Sequence, residues 1–192
     1  MKVGILGFQG DYEEHARIFR SLGVDTILVK MPEHLELVDA LVLPGGESTH
    51  FARIIKRYNL EEPLRAWNKP LLGTCAGLIV LASEVVDHHP GLTLGRLKVK
   101  VKRNAYGRQK DSFEAPVKVY LEGKEAEITG VFIRAPRIVE VGEGVDVIAT
   151  LKDGEVVGVK QGNVIGLTFH PELSGDDIFH RYLLDMIPTA SP

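Results

Sequence analysis

Short apolar runs alternate with longer amphipathic segments through the first half of the chain. Runs without polar alternation are typical of strands buried on both faces of a parallel sheet. Four such runs cover residues 3–8, 26–29, 40–43 and 71–72. Between them, apolar residues recur at helical spacing over residues 11–23 and 48–58, which predicts two helices. This alternation predicts an α/β fold with a mostly parallel sheet and helices on both faces.

The two predicted helices carry capping signals. Asp11 is expected to open the first helix, and Gly23 is expected to end it. Ser48 is expected to cap the second helix, because its hydroxyl can accept a hydrogen bond from the first turn. The buried stripe of the second helix is predicted to consist of Phe51, Ile54, Ile55 and Tyr58.

The second half of the chain changes to short strands joined by tight turns. Residues 97–102 alternate between apolar residues and lysines, which predicts a half-exposed strand. A phosphate-binding patch is the less favoured alternative, because no aromatic residues are interleaved. Hairpin signals at 153–154 and 161–163 indicate an added antiparallel portion of the sheet. Further strands are predicted at 117–121, 130–133, 145–151, 156–160 and 164–169, and a closing helix at 178–186.

Composition narrows the classes of function. The 192 residues include 23 basic and 26 acidic side chains, and the resulting net charge of −3 indicates no broad basic footprint for nucleic acid. No segment approaches the roughly 20 apolar residues of a membrane span, and the first apolar run is too short for a signal peptide. Without a repeat or a long linker, we expect a single domain over residues 1–192. We expect it in the cytoplasm, where a lone cysteine stays reduced.

Cys75 is the only cysteine, and it follows the fourth predicted strand in the motif Gly-Thr-Cys-Ala-Gly at 73–77. Glycines on both sides permit a sharp turn from strand to helix that presents the thiol. The N-terminus of the following helix favours a thiolate and offers free N–H groups. The Ala76 N–H is the predicted first donor to an oxyanion, and the loop ending at Gly46 is the best source of a second. A buried structural cysteine is the alternative.

His170 and Glu172 follow the strand predicted at 164–169. On extended chain, residues two apart project to the same side, and Pro171 biases His170 toward that conformation. Glu172 can then orient the imidazole while the other ring nitrogen faces the Cys75 thiol. A surface turn with ordinary polar residues is the alternative.

The remaining histidines suggest no metal site. The pair at 88–89 precedes Pro-Gly and indicates a solvated turn, and no zinc pattern accompanies it. We therefore expect no metal and no cofactor. The histidines expected to be surface or packing residues are His15, His34, His50 and His180.

The cysteine motif at 73–77 and the later His-Pro-Glu at 170–172 resemble those of the class I, triad-type glutamine amidotransferases. Other segments resemble the glutaminase subunits of pyridoxal 5′-phosphate synthase. These lie in the same order along nearly the whole chain, at 6–15, 44–49, 103–114 and 132–136. The resemblance implies a flavodoxin-like three-layer sandwich.

The resemblance also implies an activity. Cys75 would attack the side-chain amide of L-glutamine, His170 would move protons and Glu172 would orient His170. An oxyanion would be held near Gly46 and Ala76. The ammonia would pass to a separate (β/α)8-barrel synthase subunit that activates the glutaminase on docking. Substrate binding is carried by similarity onto Gly46, Glu47, Ser48, Arg103, Ile133 and Arg134.

Charge suits three of these positions. Arg103 or Arg134 can pair with the α-carboxylate of glutamine, and Glu47 can meet its α-ammonium group. Surface ion pairs are the alternative for both arginines. Two other functions stay open: a glutaminase serving a different synthase, against which segment 103–114 argues, and a non-catalytic flavodoxin-like regulatory module.

Overall fold

The structure is a computed structural model that describes residues 1–7, 12–87, 91–103 and 112–189. The predictions for residues 8–11, which include Asp11, for the histidines at 88–89 and for residues 104–111 lie outside these ranges. The strands are β1 (Lys2–Leu6), β2 (Asp25–Val29), β3 (Ala40–Leu43), β4 (Leu71–Thr74), β5 (Ala82–Val85), β6 (Leu97–Lys102), β7 (Ser112–Leu121), β8 (Lys124–Ile133), β9 (Arg137–Val141), β10 (Asp146–Thr150), β11 (Val156–Gln161) and β12 (Val164–Leu167). The helices are α1 (Tyr12–Ser21), α2 (Pro32–Leu35), α3 (Ser48–Arg57), α4 (Glu61–Arg65), α5 (Ala76–Leu81), α6 (Pro171–Ser174) and α7 (Ile178–Asp185).

The central sheet has nine strands in the order β2-β1-β3-β4-β12-β11-β10-β7-β8. The strands from β2 to β12 in this order run parallel to their neighbours. From β12 onward each pairing is antiparallel. The predicted parallel sheet and its antiparallel addition in the second half of the chain are therefore both confirmed.

Two apolar layers cover the two faces of this sheet. Alternate residues of one strand point to opposite layers: Leu41 and Leu43 belong to one cluster, and Ala40 and Val42 belong to the other. The first layer contains α3 and α5, and the second contains α1 and α7. The result is the predicted arrangement of helix, sheet and helix.

A second sheet of three strands, β5-β6-β9, packs on the side of α3 and α5. Strand β6 buries Leu97, Val99 and Val101 in that layer, as its alternation predicts. The opposite face carries the lysines, and Lys100 pairs with Glu84 and Glu140. Acidic neighbours confirm a solvated face rather than a phosphate-binding patch.

Helix α3 begins differently from the prediction. Its N-cap is Glu47, whose carboxylate accepts hydrogen bonds from the backbone N–H groups of Thr49 and His50. Ser48 is instead the first helical residue and is buried. The prediction that Ser48 caps the helix was wrong, because the helix begins one residue earlier than expected and the carboxylate of Glu47 accepts from two N–H groups of its first turn.

The predicted stripe of α3 also needs one correction. Phe51 and Ile55 are buried and Ile54 is half-buried, but Tyr58 is 41% exposed. Helix α3 ends at Arg57, and Tyr58 leaves helical geometry as the C-cap. The period of 3.6 residues therefore no longer sets its direction, and Ala52 completes the stripe.

Within the described ranges, no helix combines the length and the apolar character that crossing a membrane requires.

Candidate active site

Two adjacent parallel strands bring the predicted catalytic residues to the same edge of the sheet. Strand β12 pairs with β4 in a register that places Leu167 beside Thr74. The Cys75 N–H donates to the Leu167 carbonyl at 2.9 Å, which continues the ladder by one step. Cys75 and the segment leading to His170 therefore leave the sheet side by side, although 95 positions separate them.

The turn at Cys75 is sharp and strained. Cys75 has φ 49° and ψ −106°, and positive φ is uncommon for a residue with a side chain. A Cβ at Gly77 would lie 2.0 Å from the carbonyl oxygen of Leu43, so helix α5 rests directly on the backbone of β3. A Cβ at Gly73 would approach the Gly77 carbonyl carbon to 2.9 Å. The two flanking glycines thus permit the strand-to-helix turn that the sequence predicts.

Three side chains meet in a line at this edge. Cys75 Sγ lies 3.0 Å from His170 Nε2 and 3.0 Å from the Thr168 carbonyl oxygen, to which the thiol can donate. His170 Nδ1 lies 2.8 Å from Glu172 Oε2. The residues are 5%, 6% and 6% exposed, respectively. Burial strengthens the ion pairing of such a chain, because little water screens it.

The backbone conformation that brings His170 and Glu172 together differs from the prediction. The pair does not lie on extended chain: His170 is the N-cap of the short helix α6, and Glu172 lies in its first turn. Pro171 begins this helix, where its missing N–H costs nothing. The His170 N–H donates to the Val131 carbonyl at 2.8 Å, which ties the residue to β8. The predicted contact forms, but a helical turn creates it.

Aromatic packing holds this segment from behind. Phe169, which precedes His170, is fully buried and lies 5.5 Å from Phe132 and 5.8 Å from Phe179, measured between ring centroids. Phe132 stacks in turn on Phe113 at 4.7 Å. Tilted and offset aromatic pairs are favourable, so strands β7 and β8 and helix α7 together fix the backbone that carries the imidazole.

A second layer of polar side chains lies behind Glu172. His15 Nε2 is 3.6 Å from Glu172 Oε1, and His15 Nδ1 is 2.9 Å from His180 Nε2. Both histidines are fully buried. They are therefore packing residues and not surface residues, the two possibilities expected from the sequence. Sequence reasoning did not connect them to Glu172. The available signal was their position beside the buried residues Ala16 and Phe179 of two amphipathic helices.

A cavity of about 570 Å³ opens in front of the Cys75 thiol. It brings together every residue predicted for catalysis, the oxyanion or the substrate except Glu172, which lies behind His170. It also includes two residues that sequence reasoning missed, Ile79 and Pro136. The lining consists of Gly46, Glu47, Ser48, Cys75, Ala76, Ile79, Arg103, Ile133, Arg134, Pro136 and His170.

Two of the charged groups expected to bind substrate, Arg103 and Glu47, contact each other in this structure. Arg103 Nη2 lies 2.7 Å from Glu47 Oε1, and Arg103 Nη1 donates to Thr49 Oγ1 at 3.3 Å. Partial burial alone would raise the pKa of Glu47, but the N–H groups of Thr49 and His50 and the Arg103 guanidinium hold that pKa below its usual 4.5. The cavity rim therefore carries a preformed pair of opposite charges.

Arg134 lines the same cavity, directly after β8. It has φ 45°, a left-handed conformation that few residues with a side chain adopt. Its neighbour Ile133 is 39% exposed at the cavity. Strained backbone concentrates at functional sites, which fits the predicted role of this turn.

The arrangement can perform nucleophilic chemistry. A thiol beside an imidazole, with a carboxylate on the other ring nitrogen, forms the constellation of a cysteine nucleophile with an oriented base. Within the part of the chain that the structure describes, no cluster of three or more His, Cys, Asp and Glu side chains could hold a metal ion. The geometry defines a cysteine–histidine–glutamate site at the edge of an α/β sheet.

Sequence comparison assigns the chain to a family. The chain belongs to the SNO glutamine amidotransferase family, which matches residues 5–189. This membership confirms the resemblance and the class of enzyme predicted from the motifs at 73–77 and 170–172.

Two relatives are similar over nearly their whole length. The pyridoxal 5′-phosphate synthase subunit PdxT of Geobacillus kaustophilus is 48% identical over 193 residues, covering 99% of this chain and 96% of the relative. The protein of the same name from Thermotoga maritima is 48% identical over 190 residues, covering 97% of this chain and all of the relative.

Solved structures agree with the fold. A crystal structure described as a glutamine amidotransferase is 43% identical and superposes with a TM-score of 0.89, covering 96% of this chain and 98% of the other. A putative GMP synthase subunit from Thermoplasma acidophilum, 22% identical, shares the fold with a TM-score of 0.71, covering 95% and 92% of the two chains. The predicted flavodoxin-like sandwich is thereby confirmed.

Proposed function

We propose that this protein hydrolyses L-glutamine to glutamate and ammonia, with Cys75 as the nucleophile. The contact between Cys75 Sγ and His170 Nε2 at 3.0 Å, on the wall of the cavity, is the observation that carries the proposal. His170 can take the thiol proton because Glu172 stabilises the imidazolium from the other side.

The reaction proceeds through a thioester. The thiolate attacks the side-chain amide carbon, and the carbonyl oxygen becomes an oxyanion. The first N–H of helix α5, at Ala76, and a backbone N–H at Gly46 are the proposed donors to it. His170 then gives its proton to the amide nitrogen, the carbon–nitrogen bond breaks, and ammonia leaves. Water, deprotonated by His170, attacks the γ-glutamyl thioester, so that glutamate departs and the thiol is restored.

The rim of the cavity supplies the binding groups. Arg103 is proposed to pair with the α-carboxylate of glutamine, and Glu47 with its α-ammonium group. Their mutual contact at 2.7 Å supports this proposal. Arg103 can exchange the Glu47 carboxylate for the α-carboxylate of glutamine, and Glu47 can exchange the Arg103 guanidinium for the α-ammonium group. The remaining proposed contacts come from Gly46, Ser48, Ile133 and Arg134.

We further propose that the ammonia serves a separate (β/α)8-barrel synthase subunit that makes pyridoxal 5′-phosphate. The names of the relatives support such a partner, since each is called a subunit of pyridoxal 5′-phosphate synthase.

Residues 1–192 are proposed to form one glutaminase domain. The cytoplasm is the proposed location, because a reducing compartment keeps the catalytic thiol free.

A glutaminase serving a different synthase is the second candidate. A structure described as a putative GMP synthase subunit shares the fold, and one fold can carry several functions. The 48% identity to proteins named PdxT, which extends over nearly the whole chain, favours the first candidate.

The test combines this chain with the pyridoxal 5′-phosphate synthase subunit of the same source. We expect glutamate release and glutamine-dependent formation of pyridoxal 5′-phosphate, and neither with Cys75→Ala. Ammonium salts should restore pyridoxal 5′-phosphate formation with Cys75→Ala, because the synthase is intact. Full glutamine-dependent activity of Cys75→Ala would refute the catalytic proposal, and activity only with another synthase would refute the assigned partner.

A further inference from the structure

Two buried histidines that the reaction above does not use stand behind the carboxylate of Glu172. His15, from α1, lies between Glu172 and His180, from α7, so the polar contacts run from the Cys75 thiol to α7. His15 and His180 are both 0% exposed. Buried polar side chains cost stability unless they are satisfied, so a chain of them at this place calls for a role.

The contact between the two rings constrains their protons. His15 Nδ1 and His180 Nε2 are 2.9 Å apart, so one of them must donate and the other accept. If His180 accepted at Nε2, its proton would sit on Nδ1. That atom is buried and has no hydrogen-bond partner among the described residues. A buried N–H without an acceptor is costlier than a bare lone pair, so His180 carries its proton on Nε2 and donates to His15.

The charge state of His180 agrees with this arrangement. Burial lowers the pKa of His180 to about 4, against a smaller opposing effect of Asp177, so the ring is neutral near pH 7 and has a single N–H. With Nδ1 accepting from His180, the proton of a neutral His15 must be on Nε2. That N–H faces Glu172 Oε1.

We propose that His15 and His180 are positioning residues of the glutaminase site. His180 sets the tautomer of His15, and His15 directs its Nε2–H toward Oε1 of Glu172, which leaves Oε2 aimed at His170. The separation of 3.6 Å between His15 Nε2 and Glu172 Oε1 exceeds an ordinary hydrogen bond, so the interaction is that of an N–H dipole with a carboxylate charge. This inference rests on the proposed function, because it assumes that Glu172 orients a catalytic His170.

The first test compares pairs of variants in the complex with the synthase subunit. His15→Leu removes the N–H, and we expect kcat to fall about 10- to 100-fold with little change in KM, as for a lost polar contact to a charged group. His15→Gln keeps an amide N–H near the place of Nε2 and should recover most of that loss. His180→Leu acts only through His15 and should lower kcat about 2- to 10-fold.

Leu183→Ala is the matched control. Leu183 is buried on α7 one turn after His180 and has no polar side-chain atom, so its truncation should lower stability and leave kcat near the wild-type value. A folded His15→Leu variant with wild-type kcat would overturn the inference. A His15→Gln variant as slow as His15→Leu would also overturn it.

A second measurement does not depend on activity. Ring ¹⁵N chemical shifts report the tautomer of each histidine in the isolated full chain, and we expect both rings to be neutral with the proton on Nε2. A proton on His15 Nδ1 alone, or on both of its nitrogens, would overturn the inference. An inactive wild-type complex or an active Cys75→Ala variant would instead refute the proposed function, and the tautomer measurement would still decide this inference.

Discussion

Replacing Gly77 by alanine tests the close approach that builds the cysteine turn. The added Cβ would lie 2.0 Å from the Leu43 carbonyl oxygen and 2.8 Å from its carbon, well inside the 3.4 Å at which ordinary contact begins. Both atoms are backbone of β3, so no side-chain rotation can relieve the clash. Helix α5 must move away from the sheet, and it carries the Ala76 N–H with it.

The magnitude follows from two opposing terms. Alanine is favoured over glycine inside a helix by about 1 kcal/mol. Overpacking a core costs about 3 kcal/mol, and a clash with backbone lies at the upper end of that range. The net loss in free energy of unfolding is then about 2 kcal/mol or more, which lowers Tm by about 4–8 °C in a chain of this size.

Thermal and urea unfolding followed by circular dichroism measure this loss, and glutamate release measures the displacement of the helix. Gly4→Ala is the control: the three atoms nearest its Cβ would belong to the side chains of Val29, Val38 and Leu41, none of which lines the cavity. We expect a smaller loss of stability and unchanged kcat for the control. If Gly77→Ala were as stable and as active as wild type, the structural explanation of the Gly-x-Cys-x-Gly turn would be wrong.

Three further predictions concern the charged groups. Glu172→Gln keeps the shape but removes the charge that stabilises the imidazolium, so kcat for glutamate release should fall about 10²- to 10⁴-fold, and a fall below twofold would contradict the triad. Arg103→Ala should raise KM for glutamine about 10- to 100-fold and change kcat less; an unchanged KM would mean that Arg103 only pairs with Glu47. Glu47→Gln should cost about 1 kcal/mol of unfolding free energy at pH 7 through loss of the helix cap. Because the pKa of Glu47 is lowered on folding, its charged form stabilises the fold above the ordinary value of 4.5, and this contribution disappears as the pH falls through the lower folded-state pKa. Urea unfolding of both proteins from pH 7 to pH 3 should show the difference shrink as the pH falls, and a constant difference would contradict this explanation.

The parallel half of the fold was predictable because its central strands β3, β4 and β12 are buried on both faces. Strand β3 was expected at 40–43 and spans Ala40–Leu43. A short uninterrupted apolar run is stable when both faces of the strand are buried, as they are in the middle of a parallel sheet. The ten-residue strands β7 and β8 were recognised only in part. Their ends lie on half-exposed chain, where polar residues such as Glu114 and Lys124 hide the pattern.

The site was predictable where a local motif dictates geometry. The turn at Cys75 follows from its glycines and from the strand before it. The link between His15 and Glu172 joins α1 to α6, and no spacing along the chain encodes that packing. The predicted cap of α3 was wrong for a different reason. Glu47 and Ser48 can both accept hydrogen bonds, and only the backbone direction decides between them.

The central claim is that the Cys75 thiol is the nucleophile for the amide of glutamine. A glutamine analogue with an electrophilic side chain tests it directly: the full chain, bound to its synthase subunit, is treated with the analogue and its peptides are mapped by mass spectrometry. We predict one covalent adduct on Cys75, prevented by excess glutamine and absent from Cys75→Ala. An adduct on another residue, or an unlabelled Cys75 in a complex that still releases glutamate, would contradict the account.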